Sequence, residues 1–570
     1  MKLIVRGVYI SGLVFLSLFS VNAQDSLMNI LKKELNREVE GFKNAENPPY
    51  FIEYRVDDIN SYSLGSSFGS LVRCNYQRGR ILNAMIKVGD YELDNTHEIE
   101  GNANPMAQLF AIPLPIENKP EAIQQTIWDI TNRAYKQAMS TYYTIQNNEK
   151  IMNNPDKLSD FSKESPVQYF EPPLSETEIK FDSSEWIKLI KKYSEPFLTD
   201  DSIFSGEAVL SFYIDRKYLV NSEGSSIVQN NIYTQLQING SIKTSGGSIL
   251  PLYKSYYAYR PESLPSSDSV LRDVHFLIKK LEALKDAPAA EPYSGPAILS
   301  PSAAAVFFHE IFGHRVEGQR LRSDIDGQTF KAKVYGRVLP KYMSVVSDPT
   351  LSEYNGHDLY GYYKYDDQGV PATKVKIVEN GILKNFLMSR TPIRGFENSN
   401  GHGRAQPGYI PVARQSNLLV ETTKPESMKQ LRKRLISECK KEHKQYGYLF
   451  DEVTGGYTMT NRYTPNVFNV TPTVVYRIYT DGRPDELVRG VNFIGTPLSI
   501  FAEIAATGDL TKIFTGFCTA ESGSIPVTAI SPALYIKVIE TQKQPENYGQ
   551  FPILPRPGSE NFNRNEKNIE

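Results

Sequence analysis

Ser300-Pro301-Ser302-Ala303-Ala304-Ala305-Val306-Phe307-Phe308-His309-Glu310-Ile311-Phe312-Gly313-His314 opens like a helix and closes on metal-binding chemistry. Ser300 is a plausible N-cap, Pro301 suits the first helical position, and the alanines and bulky apolar residues that follow read as a buried helix. On that helix His309 and His314 offer two neutral nitrogen ligands, and Glu310 places a carboxylate beside the first. Zinc hydrolases use that set: imidazoles hold the ion, and the carboxylate takes a proton from a water whose pKa the metal lowers to about 7. The histidines are five residues apart, not the four of H-E-x-x-H. On a regular helix i and i+5 lie about 140° apart, against about 40° for i and i+4, so the two rings would face different ways. A local π-type bulge is the expected remedy, with Gly313 tolerating the distortion.

A zinc with one position open for water needs a third protein ligand. Glu317, three residues after His314, is one candidate. Cys518, in the Gly-rich loop Gly516-Phe517-Cys518-Thr519-Ala520-Glu521-Ser522-Gly523, is the other, since a thiolate is a good zinc ligand. If Glu317 and Cys518 both joined the histidines, the site would be closed and structural. The chain would then be an exported binding or assembly protein without catalysis. A metal hydrolase acting on a non-peptide amide is a further alternative.

The resemblance of this chain to a known family extends well beyond the motif. Tyr293-Ser294-Gly295-Pro296 before the helix, Asp366-Asp367-Gln368-Gly369-Val370-Pro371, Glu379-Asn380-Gly381-Ile382-Leu383-Lys384, Asn400-Gly401-His402-Gly403-Arg404 and Pro411-Val412-Ala413-Arg414-Gln415-Ser416-Asn417 occur in order. Gly455-Gly456, Gly490-Val491-Asn492-Phe493-Ile494-Gly495 and the Cys518 stretch follow. Together they resemble the metallopeptidase subunit of the TldD/PmbA family, also called modulators of DNA gyrase, over about residues 290–540. Leu219-Val220-Asn221-Ser222-Glu223-Gly224 extends the likeness forward. The resemblance implies zinc bound by His309, His314 and Cys518, with Glu310 as general base, and this raises Cys518 above Glu317 as third ligand. It implies hydrolysis of unfolded or short peptides in an enclosed cavity. Subunits of this family that lack the motif are thought not to hydrolyse anything, so the motif puts this chain on the catalytic side. Its expected partner is such an inactive companion or a second copy of itself. Glu317, His402, Arg404 and His357 are candidates for contacting substrate or stabilising an oxyanion.

The first 23 residues read as a secretory signal peptide. Lys2 and Arg6 precede an apolar stretch over residues 8–19, and Val21-Asn22-Ala23 is a small-residue cleavage site, so a periplasmic or secreted protein cut after Ala23 is expected. The apolar core is shorter than the ~20 residues that span a bilayer, and no later segment is long enough, so no integral membrane span is expected in the mature chain. In 570 residues, 40% hydrophobic and with net charge −2, no basic stripe marks a nucleic-acid footprint. Three cysteines form no disulfide framework, and Cys74 and Cys439 are expected free and buried.

The fold class expected is α+β: an N-terminal α/β domain over residues 24–286, a linker at 287–297, and a β-rich C-terminal domain at 298–541 that carries the metal-binding helix. A flexible tail is expected at 542–570. In the front half, Ile123, Ile127, Ile130, Ala134 and Ala138 fall at helical spacing after Pro120, and residues 208–214 and 217–220 flank Asp215-Arg216 like a hairpin. A second amphipathic helix uses Val270, Leu271, Val274, Ile278, Leu281 and Leu284. In the back half, a basic helix over about residues 425–443 interrupts short strands.

Overall fold

The computed structural model describes residues 25–98, 111–148, 158–244, 247–322, 329–458 and 468–543. The segment read as a signal peptide and the tail beyond Lys543 lie outside the described residues. The chain is α+β, with two large sheets and helices packed on them. No helix among the described residues is long and apolar enough to cross a membrane.

The first sheet is built from β1 (Pro49–Ser67), β2 (Ser70–Val88), β3 (Ala111–Pro113), β4 (Gln168–Phe170), β5 (Ile203–Asn221), β6 (Ser226–Lys243) and β7 (Ile249–Ala258). Its order is β3-β2-β1-β5-β6-β4, with β7 also on β6, and the long strands run antiparallel. Side chains alternate between faces along these strands, and the sequence uses the alternation fully. Tyr54, Val56, Leu64, Leu210, Tyr218, Val220, Leu236 and Ile238 point to one face and are buried there. Helices α1 (Ser26–Phe42) and α2 (Pro120–Gln146) cover one end of that face, and α3 (Ser183–Ser194) and α4 (Ser267–Asp286) cover the other. Ile123, Ile127 and Ile130 of α2 are wholly buried. Each such side chain contributes about 1.5–3 kcal/mol, which outweighs the tenths that separate helix propensities. The opposite face carries Arg55, Asp57, Asp215, Lys217 and Gln229, and it is buried against the C-terminal half.

This face corrects one expectation. Asp215 and Arg216 form no turn: they sit inside the single strand β5, and the reversal comes at Asn221-Ser222-Glu223-Gly224, where Gly224 has φ +106°. The charges at 215 and 217 point into a polar interface that local pattern cannot reveal. A second correction concerns Cys74, which is exposed on the outer half of β2, whereas Cys439 is buried and free.

The C-terminal sheet is mixed and, among the described residues, twelve-stranded. Its middle contains β8 (Tyr293–Leu299), β9 (Met343–Ser347), β10 (Val375–Glu379), β11 (Asn417–Thr422), β12 (Tyr446–Thr458), β13 (Phe468–Tyr479), β14 (Ile504–Ala520) and β15 (Gly523–Lys543). The path runs β10-β9-β11-β15-β8-β12-β13, and β14 pairs with β15 as a hairpin. Residues 293–297, read as part of the linker, therefore already belong to a sheet strand, and β15 continues to Lys543. The basic helix is α6 (Met428–Lys441); it buries Leu431, Leu435 and Cys439 and leaves its charged side in solvent. The helix that enters the motif, α5 (Pro301–Phe307), lies on this sheet in the largest apolar core, where Phe307, Phe308, Phe312, Phe330 and Phe501 pack ring to ring.

Candidate metal centre

The entry to the motif folds as its residues dictate. Ser300 Oγ accepts from the amide of Ala303 at 3.2 Å and donates to the carbonyl of Asp451, and Pro301 takes the first helical position. After Phe307 the helix widens into a π-turn over Phe308–Phe312 and then tightens into a 3₁₀ turn at Gly313–Arg315. The π-turn brings i and i+5 onto one side, and the ring centroids of His309 and His314 stand 5.2 Å apart. Gly313 has φ −58°, an ordinary helical value. It is glycine for a different reason: a Cβ there would lie 1.8 Å from Gln415 Oε1. Gln415 needs that place because its Nε2 donates to the carbonyl of His309 at 3.1 Å. Arg315, fully buried, donates to the carbonyls of Ile311 and Glu310, which a helix ending here would otherwise leave unmet.

Cys518 reaches the histidines from β14. It lies in a strand, opposite Ile525 of β15, and not in the loop that its glycines suggest; the turn itself is held by Gly523 at φ +80°. Its Sγ stands 3.3 Å from His314 Nε2, and one ligand atom each from His309, His314 and Cys518 fall within 4.8 Å of one another. All three residues are buried. Glu310 is less enclosed, with its Oε2 3.9 Å from His314 Nε2.

Glu317 stands behind this set. Its Oε2 is 3.0 Å from Nδ1 of His314, the nitrogen opposite the one that faces Cys518, and it also accepts from Arg320 Nε at 3.0 Å. A carboxylate on Nδ1 fixes the tautomer and leaves Nε2 free as a ligand. Arg414, also fully buried, ties the same carboxylate to the hairpin: its Nε lies 3.5 Å from Glu317 Oε1, and it donates to the Cys518 carbonyl, Ser522 Oγ and the Gly523 carbonyl. Arg320 closes the arrangement by reaching Glu521. Arg414 and Gln415 fall within the quoted run from Pro411 to Asn417. That run was the only sequence signal for them, and it carried no role.

The other candidates lie apart. His402 is wholly buried, with Nδ1 at 3.0 Å from the Asn400 carbonyl and Nε2 at 3.0 Å from Ser347 Oγ, so both nitrogens are occupied. His357 is exposed on a two-residue strand paired with Glu353–Tyr354. Arg404 donates to the carbonyls of Gln415 and Pro526, so it holds the backbone of the same Gln415 whose side chain donates to the His309 carbonyl.

Electrostatics favour a cation at the centre. Burial opposes charge on each group, yet the two imidazoles hold the Cys518 thiol well below its usual range. Burial likewise lowers His314 and His309, but the thiolate more than reverses it, raising His314 well above and His309 above the ordinary value. Glu317, which burial alone would push up, is held down to about 2 by His314, Arg320 and Arg414. The buried Nδ1 of His309 has no hydrogen-bond partner, an unmet nitrogen that packing does not explain. Two imidazoles and a thiolate this close are a donor set suited to zinc, and a cation among them would take the place of the protons that otherwise offset the thiolate.

Residues 292–543 match the family described as the PmbA/TldA metallopeptidase C-terminal domain. A metalloprotease of Archaeoglobus fulgidus is 29% identical over 273 residues, 46% of this chain and 57% of that one. A zinc metalloprotease TldD homolog of Saccharolobus solfataricus is 25% identical over 256 residues, 44% and 52% of the two chains. The chain thus spans about half the length of these archaeal relatives. A metalloprotease TldD homolog of Buchnera aphidicola is 22% identical over 475 residues, 80% of this chain and 88% of its own. In fold, TldE from Thermococcus kodakarensis superposes with a TM-score of 0.60 at 15% identity over 90% of this chain and 100% of its own. A putative modulator of a DNA gyrase from Thermotoga maritima gives 0.58 at 15% identity over the same shares. With the motif, the ordered blocks and the fold in agreement, residues 292–543 of this chain form a C-terminal domain of the PmbA/TldD metallopeptidase family.

Proposed function

We propose that this chain is an exported zinc-dependent peptidase that hydrolyses unfolded or short peptides, with Glu310 as general base. The observation that carries the reading is the convergence of His309, His314 and Cys518 within 4.8 Å beside a carboxylate that is not consumed as a ligand. The names of the metalloprotease relatives support it. His309 Nδ1 and the displaced protons of the Cys518–His314 pair fit a bound zinc, which would supply Lewis acidity and a water of lowered pKa.

His309, His314 and Cys518 would hold the ion, and Glu310, kept off it, would serve as general base toward an attacking water and as general acid toward the leaving nitrogen. Glu317 is spent on His314 Nδ1, Arg320 and Arg414, which speaks against a closed four-ligand structural site. The phenylalanine core behind the π-turn keeps bulk water from the back of the centre. Export rests on the N-terminal sequence; mass spectrometry of the mature protein should give a first residue of Gln24. The partner is an inactive companion of the same family or a second copy.

The test compares the mature protein with Glu310→Gln for zinc content and for cleavage of a mixed pool of unstructured peptides. One zinc per chain in both, with cleavage lost by about 10²-fold or more in the variant, is expected. Full activity in Glu310→Gln removes the base assignment, and absence of zinc from the unmutated protein removes the proposal.

A further inference from the structure

Where the polar face of the first sheet meets the C-terminal half lies a partly open cavity of about 140 Å³. Asp215, Lys217 and Tyr233 line it from the sheet, Tyr360 and Arg404 from the other half, and residues 524–526 of β15 complete the wall. Pockets for whole drug-sized ligands start near about 300 Å³, whereas a cavity of about 150 Å³ holds one benzene. The space therefore suits one side chain or a chain terminus.

The lining says what kind. Asp215 is 1% exposed, lines the cavity, and its Oδ1 accepts no hydrogen bond. Asp57, facing the same way on β1, is wholly buried, and neither of its oxygens accepts one. Arg55 Nε lies 3.6 Å from Asp57 Oδ2, and the two cations that line the cavity have closer partners than Asp215. Lys217 Nζ donates to Asp367 at 2.6 Å and stays 3.9 Å from both Asp57 and Asp215, while Arg404 is bound to two carbonyls. Aromatic rings line the same space: Tyr233 meets Tyr360 at 5.4 Å, and Tyr363 and Tyr365 also form part of the wall. Ring faces beside an unsatisfied carboxylate recognise an ammonium or guanidinium group. A metal ion fits less well, because His309, His314 and Cys518 are the only metal-scale donor cluster among the described residues. The cavity also abuts the zinc candidate, since Ile525 in its wall pairs directly with Cys518.

We propose that this cavity is a subsite for the positively charged group of a peptide, either a basic side chain or a free amino terminus, with Asp215 as the carboxylate that receives it. Only the identification of the ligand as a peptide rests on the peptidase reading. Binding is therefore measured without turnover, in the full mature chain carrying Glu310→Gln. The probes are a short, otherwise uncharged peptide with one lysine, the same peptide with norleucine in its place, the N-acetylated form, and the form with both changes. Removing the charge that enters the cavity should weaken binding by about tenfold to a hundredfold. The form that loses affinity tells a side chain from a terminus. Asp215→Asn should abolish the preference while zinc content is unchanged. Tyr233→Leu, which keeps every charge, should reduce it by about threefold or more and serves if Asp215→Asn does not fold. Equal affinity for all four peptides, no measurable binding, or a preference that survives both substitutions overturns the subsite. A protein that lacks peptidase activity yet shows the charge preference would leave the subsite standing and sink only the catalytic reading.

Discussion

At Gly313 the reason for a residue lies far from it in sequence. The five-residue histidine spacing was enough to foretell the π-turn, because no other local geometry puts both rings on one side. The demand for glycine was not foretold correctly: the backbone there is ordinary, and the conflict is with the side chain of Gln415. Gly313→Ala should therefore displace Gln415, loosen its bond to the His309 carbonyl, and cost about 1–3 kcal/mol by overpacking. Thermal unfolding and zinc content after dialysis check this, and an unaltered stoichiometry would return Gly313 to a merely local role. Residue type alone left Glu317 and Cys518 open as third ligand, whereas the position of Glu317 on His314 Nδ1 separates them. His402, one of the candidates for stabilising an oxyanion, is held neutral by burial, with its pKa lowered to about 3. Unfolded, it takes up a proton near pH 6.5; folded, it does so only near 3, so its contribution to stability is intact above about 6.5 and is lost as pH falls. The stability difference between the unmutated protein and His402→Gln should shift by roughly 1.4 kcal/mol per pH unit between about pH 6 and 4. Denaturant titrations at several pH values measure it, and a constant difference would contradict the assignment.

Elements were legible where one helix face or a cap decides them. The rows on α2 and α4, the Ser300 cap and the Pro301 start were all readable, because each depends on neighbours within a turn or two. The hairpin that carries Cys518 was read as a loop, since its glycines speak louder locally than the pairing of β14 with β15. Of those glycines Gly523 matters most. It sits at φ +80°, and a Cβ there would approach Gln406 Cβ to 2.7 Å. Gln406 in turn accepts from the Ser524 amide, and Arg414 grips the same turn through Ser522 and the Gly523 carbonyl. Gly523→Ala should tilt the hairpin tip, move Cys518 off the histidines, and speed zinc loss to a chelator by about tenfold while most of the fold survives. Unchanged chelation kinetics would mean that the histidines alone set zinc retention.

Across the molecule the two halves meet through charged pairs as well as through apolar packing, where Val474 enters the core of the first sheet. The α+β order was readable from the change in pattern near residue 290, but the partner of each inward-facing charge was not, since Lys217 and Asp367 are 150 residues apart. Lys217 is buried, and its ammonium is kept charged against the cost of burial by Asp367, Asp57 and Asp215. Asp367 is likewise held below its usual range, by Lys217 and then Arg55, against the same cost. Removing one member of such a set leaves buried charge uncompensated, which typically costs about 3–5 kcal/mol. Lys217→Met should therefore destabilise the whole protein by that order, although methionine fills much of the same space. Lys217→Met with Asp367→Asn removes both partners, and most of the loss should return, because the asparagine can still accept from the Ala405 amide that now binds Asp367. Denaturant unfolding of the two single variants, the double variant and the unmutated protein closes the cycle. A double variant at least about 1.5 kcal/mol more stable than the single losses add up to is the expected result. Simple additivity would mean that the halves are held by their backbone and ring contacts, with Tyr360 donating to Thr234 and Ala258 as the next place to look.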